Sequence, residues 1–263
     1  MDYSTYKHML FERRDRILTI TLNRPPMNPI HYELHEELSR LWHQVQVDHE
    51  TDVVIFTGTG DVFSAGGDIP MMQRRIDDPE LFNRKNLEMK QMIFGLLDLE
   101  KPVIARINGD CIGLGATLAL MCDILVAVED ARFCDPHVKM GYVAGDGGAV
   151  IWPQLIGYAK AKEYLLTGDR LDAKEAERIG LINHALPRDQ LDAKVNAIAE
   201  KLARGSTKAI KWTKTCMNIP LRQLAHAIMD ASLAYEAITN MGADHQEAVK
   251  AFREKRDPRF TGR

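Results

Sequence analysis

The sequence predicts an α/β fold in which parallel strands joined by right-handed crossovers give way to a helical C-terminal part. Three observations lead there. Strand-like and helix-like apolar patterns alternate as far as about residue 135, the order that builds parallel sheets. The run Val53-Val54-Ile55-Phe56-Thr57 is almost continuously apolar, as a strand covered on both faces must be. From Ala149 onward the pattern is mostly helical.

In chain order, residues 17–22 are β-rich and end at Asn23-Arg24-Pro25-Pro26, a strand stop. Leu34, Leu38, Leu41, Trp42 and Val45 recur on one helical face. The apolar strand follows, then a turn at Gly58-Thr59-Gly60-Asp61. A polar helix over about 79–99 leads to a strand over 101–107, a glycine-punctuated helix over 113–122 and a strand over 123–127. Helices are then predicted over 159–166, 173–179, 191–204, 221–241 and 245–253, with Gly168 and Gly180 at ends and Pro187 and Pro220 at starts. No repeat or linker separates independent domains. The predicted division is a core over 1–200 and a C-terminal helical region over 201–263.

A chain of 263 residues can bury one large core. The net charge of −3 leaves no footprint for nucleic acid or an anionic membrane. The N-terminus lacks an apolar h-region, and no apolar run reaches the ~20 residues of a membrane span. Cys111, Cys122, Cys134 and Cys216 show no CxxC spacing, which predicts buried free thiols in a reducing cytoplasm. His31 and His35 stand four apart on the first helix, but Ser39 occupies the place where HExxH would need a further ligand. They read as part of a solvated helix face, and no metal is predicted.

Two segments place glycines where a strand hands over to a helix: Phe63-Ser64-Ala65-Gly66-Gly67-Asp68-Ile69 and Asn108-Gly109-Asp110-Cys111-Ile112-Gly113-Leu114-Gly115-Ala116. Such loops can present bare N–H groups, and two aimed at one point make an oxyanion hole. Either loop alone reads equally as a tight turn. Neither is a dinucleotide fingerprint, since Leu118 stands where the later glycine belongs, and no GxxxxGK[ST] occurs.

These loops, together with Leu22-Asn23-Arg24-Pro25, the run KPVIARINGDCIGLGATLALMCDI, LTGDRLDAKEAERIGLIN and the late Ala251-Phe252-Arg253-Glu254-Lys255-Arg256, resemble the crotonase (enoyl-CoA hydratase/isomerase) superfamily. The resemblance implies a ββα-spiral core with a C-terminal helical trimerisation region, and assembly into trimers or hexamers. It assigns the oxyanion amides to Ala65 and Leu114, polarising a thioester carbonyl. It needs no cofactor beyond the coenzyme A carried by the substrate. Arg24, Gly66, Asp68, Ile69, Gly113 and Thr117 are implied on the substrate side. Phe252 and Lys255 are implied to reach the coenzyme A of a neighbouring subunit.

The pattern departs from the hydratase branch. That branch's two glutamates are replaced here by Thr117 and His137, and a threonine hydroxyl cannot serve as a general base. Asp146, in Gly145-Asp146-Gly147-Gly148 before a helix, reads either as an N-cap or, by the resemblance, as the working carboxylate of isomerase, dehalogenase and hydrolase branches. His137 titrates near neutrality and is the second candidate. The PH…GDG…WP pattern and Glu236 on a late helix resemble 6-oxocamphor hydrolase, a relative that cleaves β-diketones without coenzyme A. Glu236 reads equally as a solvated helix residue. Met71, Met72, Met89 and Met92 flank the implied acyl pocket, or fill the core. Three functions remain open: an acyl-CoA enzyme using Asp146 and His137, a β-diketone hydrolase, and a catalytically silent binding subunit.

Overall fold

The computed structural model describes all residues from Met1 to Arg263. A hairpin opens the chain, β1 (Met9–Arg14) pairing antiparallel with β2 (Ile17–Leu22). Asp15, with φ of 53°, makes the tight turn between them. Then follow α1 (Tyr32–Gln46), β3 (Val53–Gly58), β4 (Val62–Ser64), α2 (Ile69–Asp77) and α3 (Pro79–Asp98). The next run is β5 (Val103–Ile107), β6 (Asp110–Ile112), α4 (Leu114–Leu120), β7 (Ile124–Val128) and β8 (Arg132–Cys134). After a 3₁₀ turn over His137–Met140 come α5 (Gly148–Thr167), β9 (Leu171–Asp172), α6 (Ala173–Arg178) and β10 (His184–Leu186). Three helices close the chain: α7 (Arg188–Ala203), α8 (Thr207–Asn240) and α9 (Ala243–Glu254).

The large sheet runs β1-β2-β3-β5-β7-β10, parallel throughout except for the opening hairpin. Its interior strand β3 is buried at every position. Alternation explains why: Phe56 packs edge-on against Trp42 of α1 at 5.4 Å, while Ile55 points to the opposite face, beside Val195 of α7. The small sheet runs β4-β6-β8-β9. Each of β3, β5 and β7 is followed at once by a strand of the small sheet and then by a helix, so the chain winds as three ββα turns, the crotonase-type spiral.

The structure corrects several local expectations. β1 was not anticipated, because only Met9 and Phe11 alternate along it. The short strands β4, β6, β8 and β9, each of two or three residues, carry too little periodicity to read. α2 also escaped notice. Asp68 caps it, accepting from the Met71 amide at 2.7 Å. The helix expected to start after Pro220 begins at Thr207 and runs through the proline. Just before the proline, side chains tie α8 to its neighbours: Asn218 Nδ2 donates to Leu97 O at 3.0 Å, and Lys214 pairs with Asp123 at 2.7 Å. His35 is fully buried, with its Nδ1 2.8 Å from Glu88, so it is not on a solvated face. The thiols of Cys111, Cys122 and Cys134 are buried, but Cys216 is exposed on α8. No helix is long and apolar enough to cross a membrane.

Lys214 is the main polar tie between α8 and the sheet. It donates to Lys101 O at 2.9 Å and pairs with Asp123, whose carboxylate also accepts from the Val103 amide at 2.7 Å. Removing one partner leaves the other charge stranded. Lys214→Met is expected to lower stability in urea denaturation by about 3 kcal/mol, with part of the loss recovered in Lys214→Met/Asp123→Asn. A single-variant loss below about 1 kcal/mol would show that the pair does not hold α8.

Candidate active site

The site forms where three short parallel strands end side by side. β4 runs into Ala65-Gly66-Gly67, β6 into Gly113-Leu114, and β8 into Asp135-Pro136-His137. Ligands in parallel sheets gather at the carboxyl ends of strands because loops and helix starts converge there. The first two loops press together. Gly66 adopts φ of +79°, and a Cβ on it would stand 2.8 Å from the Ile112 carbonyl oxygen; only glycine fits.

Hydrogen bonding decides which amides of the first loop are free. The Ala65 N–H donates to Met27 O at 2.9 Å, so the expectation that it polarises a substrate carbonyl is overturned. The Gly66 amide goes to Ser64 Oγ at 3.2 Å, and the Ser64 hydroxyl goes to Asn28 O at 2.8 Å. Ile30 takes up the Gly66 carbonyl at 2.7 Å, and its own carbonyl accepts from the Asp68 amide at 3.3 Å. Gly67 lies between these bonds, and its N–H has no acceptor within the protein. The Leu114 N–H, first in α4, is free in the same way. Gly67 and Leu114 both line one cavity, of about 50 Å³.

The other wall of that cavity carries His137, Tyr142, Asp146 and Glu236. All three sequence candidates for proton transfer therefore meet. His137 is buried, its Nδ1 bonded to Asp135 Oδ1 and its Nε2 3.4 Å from Asp146 Oδ2. Burial opposes a charged ring, but the two flanking carboxylates outweigh it and hold the imidazole well above its ordinary pKa. Gly147, not Asp146, is the N-cap residue of α5; the Asp146 carboxylate accepts from Thr117 Oγ1 at 3.1 Å. Burial would raise its pKa, yet the His137 charge, with hydrogen bonds from His137, Thr117 and the Gly148 backbone, lowers it.

Glu236 behaves oppositely. It is buried, not solvated, and its Oε2 has no partner. Burial pushes its pKa up to about 8, reinforced by Asp146 and Asp135 and resisted by His137 and Arg75. It reaches the site because α8 closes on Gly145. Ser232 Oγ donates to Gly145 O at 2.8 Å, and a Cβ on Gly145 would lie 2.8 Å from Glu236 Oε2. At neutral pH the cavity thus holds an ionised aspartate paired with an imidazolium, facing a neutral carboxylic acid.

Other candidates stand elsewhere. Thr117 sits behind Asp146 and orients it without lining the cavity. Arg24 and Asp68 pair with each other at 3.1 Å, and Ile69 begins α2 outside the lining. Gly66 and Gly113 line the cavity, as do Met71, Met72 and Met89, whereas Met92 belongs to the core. Phe252 and Lys255 are exposed at the end of α9 and do not reach this cavity. Next to them, Arg256 is neutralised by Glu247 and Glu254. Asp135, His137 and Asp146 offer donor atoms within 4.8 Å of one another. In this arrangement each ring nitrogen of His137 already faces a carboxylate oxygen, Nδ1 that of Asp135 and Nε2 that of Asp146.

Four contributors were missed in the sequence. Gly67 is signalled only by loop geometry. Asp135 could have been found as the carboxylate two places before His137. Tyr142 packs edge-on against His137 at 4.8 Å. Arg75 follows Met71 by one helical turn on the cavity face of α2.

Comparison with known proteins agrees with this architecture. The enoyl-CoA hydratase/isomerase family model matches residues 12–263. A probable enoyl-CoA hydratase of Mycobacterium bovis is 33% identical over 264 residues, covering 98% of this chain and 100% of the relative. An enoyl-CoA hydratase/isomerase structure from Mycobacterium paratuberculosis superposes with a TM-score of 0.89 at 34% identity, over 92% of this chain and 97% of that one. A beta-diketone hydrolase from the cyanobacterium Anabaena, bound to (S)-3-oxocyclohexyl acetic acid, reaches a TM-score of 0.85 at 28% identity, over 91% and 96%. The chain belongs to the enoyl-CoA hydratase/isomerase family, within the crotonase superfamily.

Proposed function

We propose that this enzyme acts on an acyl-CoA thioester through an enolate held by the Gly67 and Leu114 amides. The observation that carries the reading is the pair of acceptor-free N–H groups on one cavity wall, opposite Asp146, His137 and Glu236. Donors fixed before the reaction stabilise the charge that develops on the thioester oxygen. With the carbonyl so polarised, Asp146 takes the α-proton, and the C–H electron pair passes into the enolate. His137, clamped by Asp135, keeps the aspartate ionised. Glu236, protonated near neutrality, is the acid that returns a proton to carbon. Two carboxyls with pKa values driven apart are the expected basis of such a division of labour. For isomerisation the balance closes: the α-proton goes to Asp146, the double bond shifts, and Glu236 gives a proton to the γ-carbon.

Coenzyme A is part of the substrate in this reading. Arg24 at the loop rim, and Lys255 and Phe252 from a neighbouring subunit, are the candidates to hold its nucleotide. The exposed Trp212, Met217, Tyr235 and Ile238 of α8 fit a trimer or hexamer interface.

A second reading, cleavage of a β-diketone C–C bond, is favoured by the meeting of His137, Asp146 and Glu236, and by the likeness to the cyanobacterial hydrolase. There the two amides would hold the enolate that departs when the bond breaks.

Asp146→Asn keeps size and removes the base; kcat on an enoyl-CoA should fall by a factor of at least ~100 while calorimetric affinity for the ester persists. Near-normal turnover would take Asp146 out of the mechanism. Calorimetry of the wild-type protein with acetyl-CoA should give binding below millimolar ligand; none, with turnover of a cyclic β-diketone, would establish the hydrolase reading instead. Glu236 adds a pH signature. The folded chain keeps this proton up to about 8, against an ordinary 4.5, so native stability drops as pH rises through that window and levels off above it. Glu236→Gln lacks the liability, and its stability relative to wild type should climb across the same window by on the order of 5 kcal/mol. A difference that stays flat with pH would mean that Glu236 is not a buried neutral acid.

A further inference from the structure

The acid–base chemistry leaves one buried charge in the cavity unused. Arg75 of α2 is 7% exposed, lines the same cavity as Gly67 and Leu114, and makes no ion pair. Its Nε has no hydrogen-bond partner. The guanidinium lies against ring faces, 4.9 Å from the Phe82 centroid and 5.9 Å from that of Tyr32, whose hydroxyl it also approaches. Aromatic faces fix the plane of a guanidinium without neutralising it. Glu236, the carboxyl that also faces this cavity, forms no salt bridge with it and keeps its Oε2 unpartnered. A desolvated cation without a counter-charge is costly in a folded protein, and this one is aimed into space reserved for substrate.

The spacing suits an anion at the end of a short chain. Arg75 stands six residues beyond the start of α2, a rise of about 9 Å along the helix, from the loop whose Gly67 amide would hold the thioester oxygen. Met71, Met72 and Met89 line the same cavity, side chains that adapt to an apolar segment. Tyr142, whose hydroxyl is kept neutral because burial pushes its pKa up to about 12, adds a hydrogen-bond donor to the same lining. A cavity that carries amide donors, methionine side chains and an unpaired guanidinium is complementary to a molecule with a thioester carbonyl, a few methylenes and a carboxylate.

We propose that Arg75 anchors a carboxylate at the far end of the acyl chain, so that the preferred substrates are thioesters of dicarboxylic acids. This rests on the acyl-thioester reading above. Arginine offers two parallel donors to that carboxylate, whereas a plain alkyl end would leave the guanidinium unpaired and buried.

The test compares two enoyl-CoA substrates of equal chain length, one ending in methyl and one in carboxylate, with wild-type protein, Arg75→Met and Arg75→Lys. Wild type should favour the carboxylate-ended ester in kcat/KM by at least ~30-fold. Arg75→Met should bring that ratio close to one, and Arg75→Lys should leave an intermediate ratio. If wild type prefers the methyl-ended ester or treats both alike, the anchor is refuted while the acyl-thioester function stands; this arm does not depend on any variant folding. Equal losses on both esters in Arg75→Met would likewise refute it. If wild type turns over neither ester, the function itself is wrong and the anchor falls with it.

Discussion

The site depends on a backbone crossing. Gly66, with its positive φ, lies so close to the Ile112 carbonyl that no side chain fits between them. That contact presses the loop after β4 against the loop after β6. Around it, nearly every polar group of the first loop is committed: Ala65 to Met27, Gly66 to Ser64 and Ile30, Ser64 to Asn28. The Gly67 amide is left over because its neighbours are satisfied. Leu114 has a free amide for a different reason, since the first N–H of a helix has no intrahelical acceptor. Two donors freed by unrelated rules thus come to one cavity wall.

The opposite wall is organised by electrostatics. His137 between Asp135 and Asp146 is a buried cation between two anions, and Glu236 is close enough to feel all of them. In so small a volume the charges settle each other's protonation. The imidazolium holds Asp146 ionised, and the negative pair joins burial in keeping Glu236 neutral. Where the family's hydratase branch carries two glutamates, this chain brings together a different titratable set, partly from α8, to which the proposed mechanism gives the acid–base roles. Loss of a motif residue did not empty the site.

The sequence makes the large sheet legible, because β2, β3, β5 and β7 are buried apolar runs and α1 has a clear apolar face. The small sheet is invisible to the same reading: strands of three residues have no period, and they exist because the spiral lays them side by side. Among the site residues, His137, Asp146 and Glu236 were reached through resemblance to a family pattern, and their meeting could not be read from spacing. The free amide of the first loop belongs to Gly67, two residues beyond Ala65, because a glycine loop does not disclose which of its N–H groups the neighbouring chain will consume. Arg75 was passed over because an arginine on a short helix reads as solvent-facing until Tyr32 and Phe82 are folded around it.

The account stands most directly on where a thioester oxygen sits. A crystal structure of Asp146→Asn with a bound enoyl-CoA should place that oxygen about 3 Å from both the Gly67 and the Leu114 nitrogens, with the α-carbon turned toward residue 146. An oxygen bonded elsewhere, or a carbonyl facing away from both nitrogens, would contradict it.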